Sequence, residues 1–402
     1  MMSLFVTMKI IIVTLSIILV IINLNFVSAT YNYYDVVTLG AKANSNSDSS
    51  KALEAAWNIA CNSSGESTIH IPEGEFFVRK SLKFSGKGCQ SSKINFVING
   101  TLKAPSDFRV LQNSKTWVLF EHVDGVTLSG GVFDAAGAEL WNCKRSGKGA
   151  CPRGVESLGF LNSQNIEING ISSLDSQLYH IVIDGCRNVK VHGITISASG
   201  HSPNTDGIHV QSSIDVTISS SNIATGDDCI SIGPGTKNLW IQGITCGPGH
   251  GISIGSLGKT FHEAKVHNVT VQTSTFTNTE NGVRIKSWGR PSDGLVSNVV
   301  FQHLTMENAR NPIIIDQKYC PNHKNCPGEV SGVRINDVTY DDIHGSSATS
   351  IAVKFDCSPK HRCSGIKLKN INLTYKNKLA SSFCSNCEGS TLGDVQPKSC
   401  LE

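Results

Sequence analysis

The chain has 402 residues, with 35 Lys and Arg against 32 Asp and Glu, so its formal net charge is only +3 at pH 7. This near-balance argues against a nucleic-acid binder, because such proteins carry dense basic patches. An anionic partner must therefore be met by a few locally placed cations and not by the field of the whole protein.

Residues 1–29 have the features of a signal peptide. Lys9 is the only charged residue there, residues 10–22 are almost wholly apolar, and Val27-Ser28-Ala29 offers small residues for cleavage. A membrane anchor is the alternative, since the apolar run is long enough for one, but the adjacent cleavage site favours removal. We therefore expect residues 30–402 to form one secreted, extracellular domain that makes no membrane contact and acts as a monomer.

The 14 cysteines are even in number, and the chain also carries Asn-x-Ser/Thr sequons. Both features indicate an oxidising secretory route. A zinc site is disfavoured, because the cysteines are scattered and lack a paired Cys-x-x-Cys framework with histidines. Close spacing predicts local disulfides, although spacing alone does not fix the connectivity. The close pairs are Cys143/Cys151, Cys229/Cys246, Cys320/Cys326 and Cys357/Cys363.

Residues 48–61 give the one convincing helical pattern. Asp48 or a following serine can cap it, and Leu53, Ala56, Trp57 and Ala60 fall on one apolar face. In a solenoid of strands, such a helix is expected to cover the N-terminal end of the core, which would otherwise be an open edge.

From about residue 68 onward the sequence predicts short strands separated by turns. A unit of the form Asn-apolar-x-apolar-x-Gly recurs at residues 165–170, 188–193 and 238–243. The alternation predicts one buried face per strand, and the asparagines and glycines supply turn residues with positive φ. Repetition at this length is typical of a β-solenoid, whose coils stack strand on strand.

Four polar clusters lie among these strands: Asn204-Thr205-Asp206, Gly226-Asp227-Asp228, Gly249-His250-Gly251 and Arg284-Ile285-Lys286. Asp206, Asp228 and His250 are each separated by 22 residues. If one coil has that length, equivalent positions on neighbouring coils lie about 4.8 Å apart. The clusters then form a column of acidic groups next to two cations that share one strand face.

Together with Tyr319, these clusters resemble the polygalacturonases, the pectin-cleaving family of glycoside hydrolases. Residues 203–209 and 318–322 are similar to the plant branch, in particular to its pollen-type exo-acting members. The resemblance covers the chain from Tyr33 to the C-terminal cysteines and implies an all-β, right-handed, single-stranded parallel β-helix. It also implies hydrolysis of the α-1,4 bonds of polygalacturonan in the plant cell wall, with inversion and without a metal or other cofactor.

Glycoside hydrolysis needs a proton donor for the leaving oxygen and a carboxylate that activates water. By the resemblance, Asp227 donates the proton, while Asp206 and Asp228 hold the attacking water. Crowded carboxylates raise one another's proton affinity, which helps one of them to stay protonated. His250 is expected to assist catalysis by tuning the protonation of the acid.

Arg284 and Lys286 are suited to the galacturonate carboxylate, because guanidinium offers two hydrogen bonds and ammonium adds a point charge. Asn204 is expected either to orient Asp206 or to cap a turn. Tyr319 either contacts the substrate or packs in the interior beside a disulfide. The remaining histidines lack such neighbours and are expected to be structural, as for His209.

Several alternatives remain at this stage. Three carboxylates would suit calcium, as in the calcium-dependent pectate lyases, but Arg284 and Lys286 would repel a cation. Endo-cleavage uses the same motifs as exo-cleavage, and a rhamnogalacturonan hydrolase is a further possibility within the enzymes. A non-catalytic pectin-binding wall protein is the rival from another class.

Overall fold

The computed structural model describes residues 31–44, 46–147, 150–321 and 324–401. They form two long, almost wholly parallel sheets, which we call the narrow sheet and the broad sheet. The predicted right-handed parallel β-helix is confirmed. The predicted signal peptide lies outside the described residues, and among those described no helix is both long and apolar enough to cross a membrane.

Within the described residues the narrow sheet has eleven strands and the broad sheet nineteen. The strands of the narrow sheet are Leu82–Ser85, Thr116–Glu121, Glu156–Leu161, Ile181–Asp184, Ile208–Gln211, Ile230–Ile232, Ile252–Leu257, Asn281–Trp288, Asn311–Tyr319, Ile351–Asp356 and Ser381–Ser385. Those of the broad sheet are Tyr31–Asp35, Gly65–Ile71, Glu75–Phe77, Ser91–Ile98, Thr101–Lys103, Asp124–Ser129, Val132–Asp134, Gln164–Asn169, Ser172–Leu174, Arg187–His192, Thr195–Ser197, Ile214–Ala224, Lys237–Cys246, Val266–Thr277, Leu295–Ala309, Arg334–Ser347, Cys363–Tyr375, Lys378–Leu379 and Cys387–Gln396.

Neighbouring coils stack in register, so that apolar residues of one coil lie directly above apolar residues of the next. Val189 pairs with Val216, Val216 with Leu239, and Leu239 with Val269, and all four side chains are buried. Alternation sends these apolar groups inward, and burying each of them stabilises the fold by about 1.5–3 kcal/mol. The core is therefore a continuous apolar column between the two sheets.

Asparagines with positive φ recur near the start of successive strands of the broad sheet, where the chain bends from one coil side to the next. Asn165, Asn188, Asn238, Asn268 and Asn298 all have φ near +55°. Their side-chain amides bond along the stack, with Asn188 donating to Asn165 at 2.7 Å and Asn268 to Asn238 at 2.9 Å. In these ladders the side-chain amide of one asparagine satisfies the side-chain oxygen of the asparagine on the neighbouring coil.

The predicted capping helix is present at Ser50–Asn62. Its apolar face is buried, and the Trp57 ring lies 5.2 Å from that of Phe84 and 5.9 Å from that of Phe120. The Asp48 carboxylate accepts from the backbone N–H of Ser50 at 3.0 Å, which caps the first turn. The helix thus closes the end of the core where the coils begin.

A second helix, Ala138–Ser146, was not predicted, and a short 3₁₀ turn occupies Phe108–Val110. The second helix buries only Leu140 and Trp141, which is too few apolar positions for periodicity to reveal it. The expectation of a single helix is therefore wrong.

All four predicted disulfides are present, and two more join residues farther apart or near the C-terminus. Within the described residues the six bridges are Cys61–Cys89, Cys143–Cys151, Cys229–Cys246, Cys320–Cys326, Cys357–Cys363 and Cys384–Cys400. Cys186 and Cys387 are buried and lie outside these bridges.

We expect Trp57→Ala to lower the free energy of unfolding by about 3–5 kcal/mol, because it opens a cavity where the helix meets the core. Trp240→Ala is the matched control, since that indole is 42% exposed on the broad sheet and surface changes usually stay within about 0.5 kcal/mol. Urea unfolding of the two variants measures the difference, and equal midpoints would contradict the capping role.

Candidate active site

A cavity of about 530 Å³ opens on the outer face of the narrow sheet. Six of the eight predicted site residues line it, namely Asn204, Asp206, Asp227, Asp228, Lys286 and Tyr319. Of the other two, His250 lines a second cavity of about 400 Å³ and contacts Asp227. Arg284 is buried behind the carboxylates, with 8% of its surface exposed.

Three of these residues share one register position on consecutive coils. Ile208 pairs with Ile230 and Ile230 with Ile252, and Asp206, Asp228 and His250 each lie two residues before one of these isoleucines, in the segment that leads into the strand. Neighbouring strands lie about 4.8 Å apart. The 22-residue spacing is therefore one coil, and we call this register position the acid column.

Asp227 does not follow strand alternation, because it lies in a turn. Residues 225–229 connect the strand Ile214–Ala224 to Ile230–Ile232, and both Asp227 and Asp228 face the cleft. Gly226 is required at this turn by close packing, since a Cβ there would lie 2.4 Å from the carbonyl oxygen of Ser202. A strand end thus lets two successive aspartates converge.

The Asp227 carboxylate is fixed by four hydrogen bonds. Oδ1 accepts from the backbone N–H of Asp228 at 2.8 Å and lies 3.0 Å from Nδ1 of His250. Oδ2 accepts from the backbone N–H of Asn204 at 2.9 Å and from its amide at 3.3 Å. Asn204 therefore positions Asp227, whereas the sequence had suggested Asp206 as its partner. Nε2 of His250 lies 3.4 Å from Glu280.

Asp228 is held between the two predicted substrate-binding cations. Its Oδ1 lies 3.0 Å from Nη2 of Arg284, and its Oδ2 lies 2.7 Å from Nζ of Lys286. Ser253 donates a further hydrogen bond to Oδ1 at 2.8 Å and accepts one from Nε of Arg284 at 3.0 Å. Arg284 and Lys286 thus already form ion pairs with Asp228, so a substrate carboxylate would share these cations with it.

Burial, followed by the charges of Asp227 and Asp228, raises the pKa of Asp206 well above its ordinary value. Burial also opposes the ionisation of Asp227, but the hydrogen bond and charge of His250 outweigh it and lower the pKa of that carboxyl. Burial favours neutral His250, yet Asp227, Asp228 and Glu280 together raise its pKa. Asp206 and His250 therefore hold a proton more tightly than usual, whereas Asp227 gives its proton up more readily.

Tyr319 lies beside the cations and not in the core. Nζ of Lys286 is 5.2 Å from the centroid of its ring and the Arg284 guanidinium is 5.8 Å away. Trp288 meets the same ring edge-on at 5.3 Å. Tyr319 thus belongs to the wall of the cleft, and its contact with the substrate stays a prediction.

The structure adds cleft residues that sequence reasoning missed. Continuing the acid column backwards gives Tyr179 and then Glu156, which pairs in register with Thr116. His209, expected to be structural, also lines the cleft, and its Nδ1 lies 2.7 Å from Oγ of Ser231. Counting back from Asp206 by one coil would have found Tyr179, and by two coils Glu156, had the coil length been constant.

Asp227, Asp228 and His250 present donor atoms within 4.8 Å of one another, a spacing that would suit a metal ion. Asp228 is, however, already neutralised by Arg284 and Lys286, and a cation would meet their repulsion. These residues fit an ion poorly for that reason. The expectation that no metal takes part stays a prediction.

A parallel β-helix with clustered carboxylates in a cleft on its outer face defines a class of carbohydrate-active proteins. Residues 61–400 match the model of the glycosyl hydrolases family 28. The chain therefore belongs to glycosyl hydrolases family 28. It is 58% identical to a polygalacturonase of Prunus persica over 94% of this chain and 96% of that protein. It is 40% identical to an exopolygalacturonase of Platanus acerifolia over 92% and 98%. The predicted resemblance to the plant polygalacturonases is confirmed.

Solved structures show the same fold at lower identity. The endo-xylogalacturonan hydrolase of Aspergillus tubingensis superposes with a TM-score of 0.76 at 22% identity, covering 90% of this chain and all of that one. The exopolygalacturonase of Thermotoga maritima gives 0.72 at 18% identity, covering 91% and 92%. These likenesses concern the fold alone.

We expect turnover to fall on the alkaline side as His250 loses its proton. Because its carboxylate neighbours raise its pKa, the protonated form persists above pH 6.5, and activity should decline only beyond that pH. His250→Gln cannot titrate, so its kcat should be low and should lack this alkaline limb. Profiles of kcat against pH test this, with His303→Gln, whose imidazole pairs with Asp342 far from the acids, as the control. An unchanged alkaline limb in His250→Gln would contradict the assignment.

Proposed function

We propose that this protein is a secreted hydrolase that cleaves the α-1,4 bonds of galacturonan in the plant cell wall with inversion at the anomeric carbon. The observation that carries the proposal is the convergence of three carboxylates and Lys286 in one cleft, with His250 in contact with Asp227 and Arg284 in contact with Asp228. The names of the plant relatives support galacturonan as the substrate.

Asp227 is the proposed proton donor for the leaving oxygen. Its pKa is lowered, so the proton that it gives to the leaving oxygen is supplied through His250, whose Nδ1 lies 3.0 Å away. Asn204 and the backbone N–H of Asp228 fix the direction of the carboxylate during this transfer. Asp206 is the second candidate donor, favoured by its raised pKa.

Asp228 is the proposed base that takes a proton from the attacking water, with Asp206 as the second contact of that water. Both oxygens of Asp228 are engaged by cations or Ser253, which makes the carboxylate a poor nucleophile towards carbon. Donor atoms of Asp227 and Asp228 lie within 4.8 Å, closer than the roughly 6.5–9.5 Å common for inverting pairs. The neutralised state of Asp228, and not this distance, supports inversion.

Exo-action is proposed on the similarity to two exopolygalacturonases, that of Platanus acerifolia and a 42% identical one of Arabidopsis thaliana. Endo-action is the second candidate, and one observation favours it. The cleft continues past the acids in both directions, towards Lys115 and Glu156 on one side and towards Trp288 and Pro321 on the other.

Product analysis distinguishes the two modes. Digestion of polygalacturonate should release monomer alone from the outset, whereas early mixed oligomers would establish endo-action. Proton NMR of the first product should show the β-anomer, as inversion of an α-bond requires. A rhamnogalacturonan backbone should stay uncut, and failure to cleave any of these polymers would leave a non-catalytic pectin-binding protein.

The donor is identified by how each variant treats the leaving group. We expect Asp227→Asn to lose about 10²–10⁴-fold in turnover of polygalacturonate, because an amide cannot protonate the leaving oxygen. A galacturonide with a nitrophenol leaving group needs little protonation, so this variant should retain much of its activity there. Asp206→Asn should lose activity on both substrates. The reverse pattern would make Asp206 the donor, and circular dichroism of both variants checks that the fold is kept.

A further inference from the structure

The Glu156 carboxylate is an unexpected group in a cleft for a polyanion. Glu156 occupies the acid column two strands before Asp206, about 10 Å away. It is 3% exposed, lines the cleft, and accepts a hydrogen bond from Thr116 at 2.8 Å. The proposed mechanism has no use for it, since it lies too far from Asp227 and Asp228 to share their water.

The floor of the cleft changes from polar to apolar near Glu156. One row of outward-facing residues crosses the narrow sheet in register, and we call it the floor row. Its members are Lys83, Leu119, Gly159, Val182, His209, Ser231, Ser253 and Arg284. The part beside the acids is polar, from His209 to Arg284, whereas Leu119, Gly159 and Val182 form an apolar step.

A cavity of about 170 Å³ lies over this apolar step. It shares Lys115, Glu156 and Val182 with the main cleft, so the two are continuous. Because Gly159 has no side chain, the Leu119 side chain reaches over it: a Cβ on Gly159 would lie 3.3 Å from Cδ1 of Leu119. The cleft therefore extends over a small apolar surface bordered by the Glu156 carboxylate.

The cations near Glu156, Lys115 and Arg153, are exposed to solvent. Nζ of Lys115 lies 4.0 Å from Glu156, and Lys83 is paired with Glu121 at 2.8 Å. Asp184 adds a further carboxylate, which accepts a hydrogen bond from Gln211. Water screens these exposed cations, unlike Arg284 and Lys286, which are buried against Asp228. A second carboxylate brought to Glu156 would meet like charge, which is unfavourable.

We propose that this end of the cleft is a subsite for an uncharged, methyl-esterified galacturonate, and that Glu156 is the residue that disfavours an ionised unit there. The inference rests on the proposed function. The ester methyl group packs against Leu119 and Val182, where burial of apolar surface is favourable. The ester carbonyl brings no charge to Glu156.

The test compares the rates of cleavage of two substrates, each measured at pH 6 and pH 7 with the same enzyme preparation. Wild type and Glu156→Gln are assayed on fully de-esterified polygalacturonate and on a half-esterified pectin of the same length. We expect Glu156→Gln to raise the ratio of kcat/KM for the de-esterified over the esterified polymer about tenfold, which corresponds to about 1.4 kcal/mol. A general structural defect lowers both rates and leaves the ratio unchanged.

Val182→Thr provides an independent measurement, because it keeps the shape and replaces a methyl group by a hydroxyl. We expect kcat/KM for the esterified polymer to fall about threefold relative to the de-esterified one. Glu167→Gln, on the broad sheet away from the cleft, is the matched control and should leave the ratio unchanged.

Two results would overturn the proposal, and they are distinguishable. If wild type cleaves both polymers and neither Glu156→Gln nor Val182→Thr changes the ratio, the subsite assignment is wrong while the hydrolase stands. If wild type cleaves neither polymer, the proposed function fails and the subsite falls with it.

Discussion

The parallel, in-register stacking of coils is the constraint on which the whole molecule depends. It brings residues 22 positions apart to about 4.8 Å, a distance fixed by backbone hydrogen bonds and not by the side chains themselves. The same stacking that aligns Val216 with Leu239 in the core places Asp206 and Asp228, each two residues before a paired isoleucine, on neighbouring coils beside the cleft. Core packing therefore holds like-charged groups together that would separate in a more pliable structure.

The cost of this crowding is offset by Arg284 and Lys286, two strands away from Asp228 along the same sheet. Buried charges are tolerated when they are paired and hydrogen-bonded, and Asp228 satisfies both conditions. Neutralising Asp228 has consequences for its neighbours. Asp227 is left to pair with His250. Asp206 has no cation at contact distance among the residues described, and burial together with its carboxylate neighbours raises its pKa.

Sequence reasoning predicted the fold from the repeat, and it proposed eight site residues, six of which the structure brings into one cleft. The turns with Asn165 and Asn188, the helix around Trp57 and the four local disulfides all follow from local patterns. What it missed depends on loops of variable length. Glu156 and Tyr179 precede Asp206 by 50 and 27 residues, so a fixed period passes over Glu156. Nor could spacing tell that Arg284 and Lys286 contact Asp228, because side-chain pairing across two coils leaves no periodic signal.

The division between strands and turns explains where the chemistry lies. Backbone pairing fixes the position of each strand residue. The outward-facing side chains of the strands, such as Ser231, Ser253 and Arg284, therefore form a rigid floor. Asp227 escapes alternation because it lies in the turn after Ala224, and only there can a second carboxylate join its neighbour in one cleft. A turn also offers free backbone N–H groups, and those of Asn204 and Asp228 bind Asp227 directly. The fold thus supplies distances through its strands, whereas the direction of the reacting group is set at the ends of those strands.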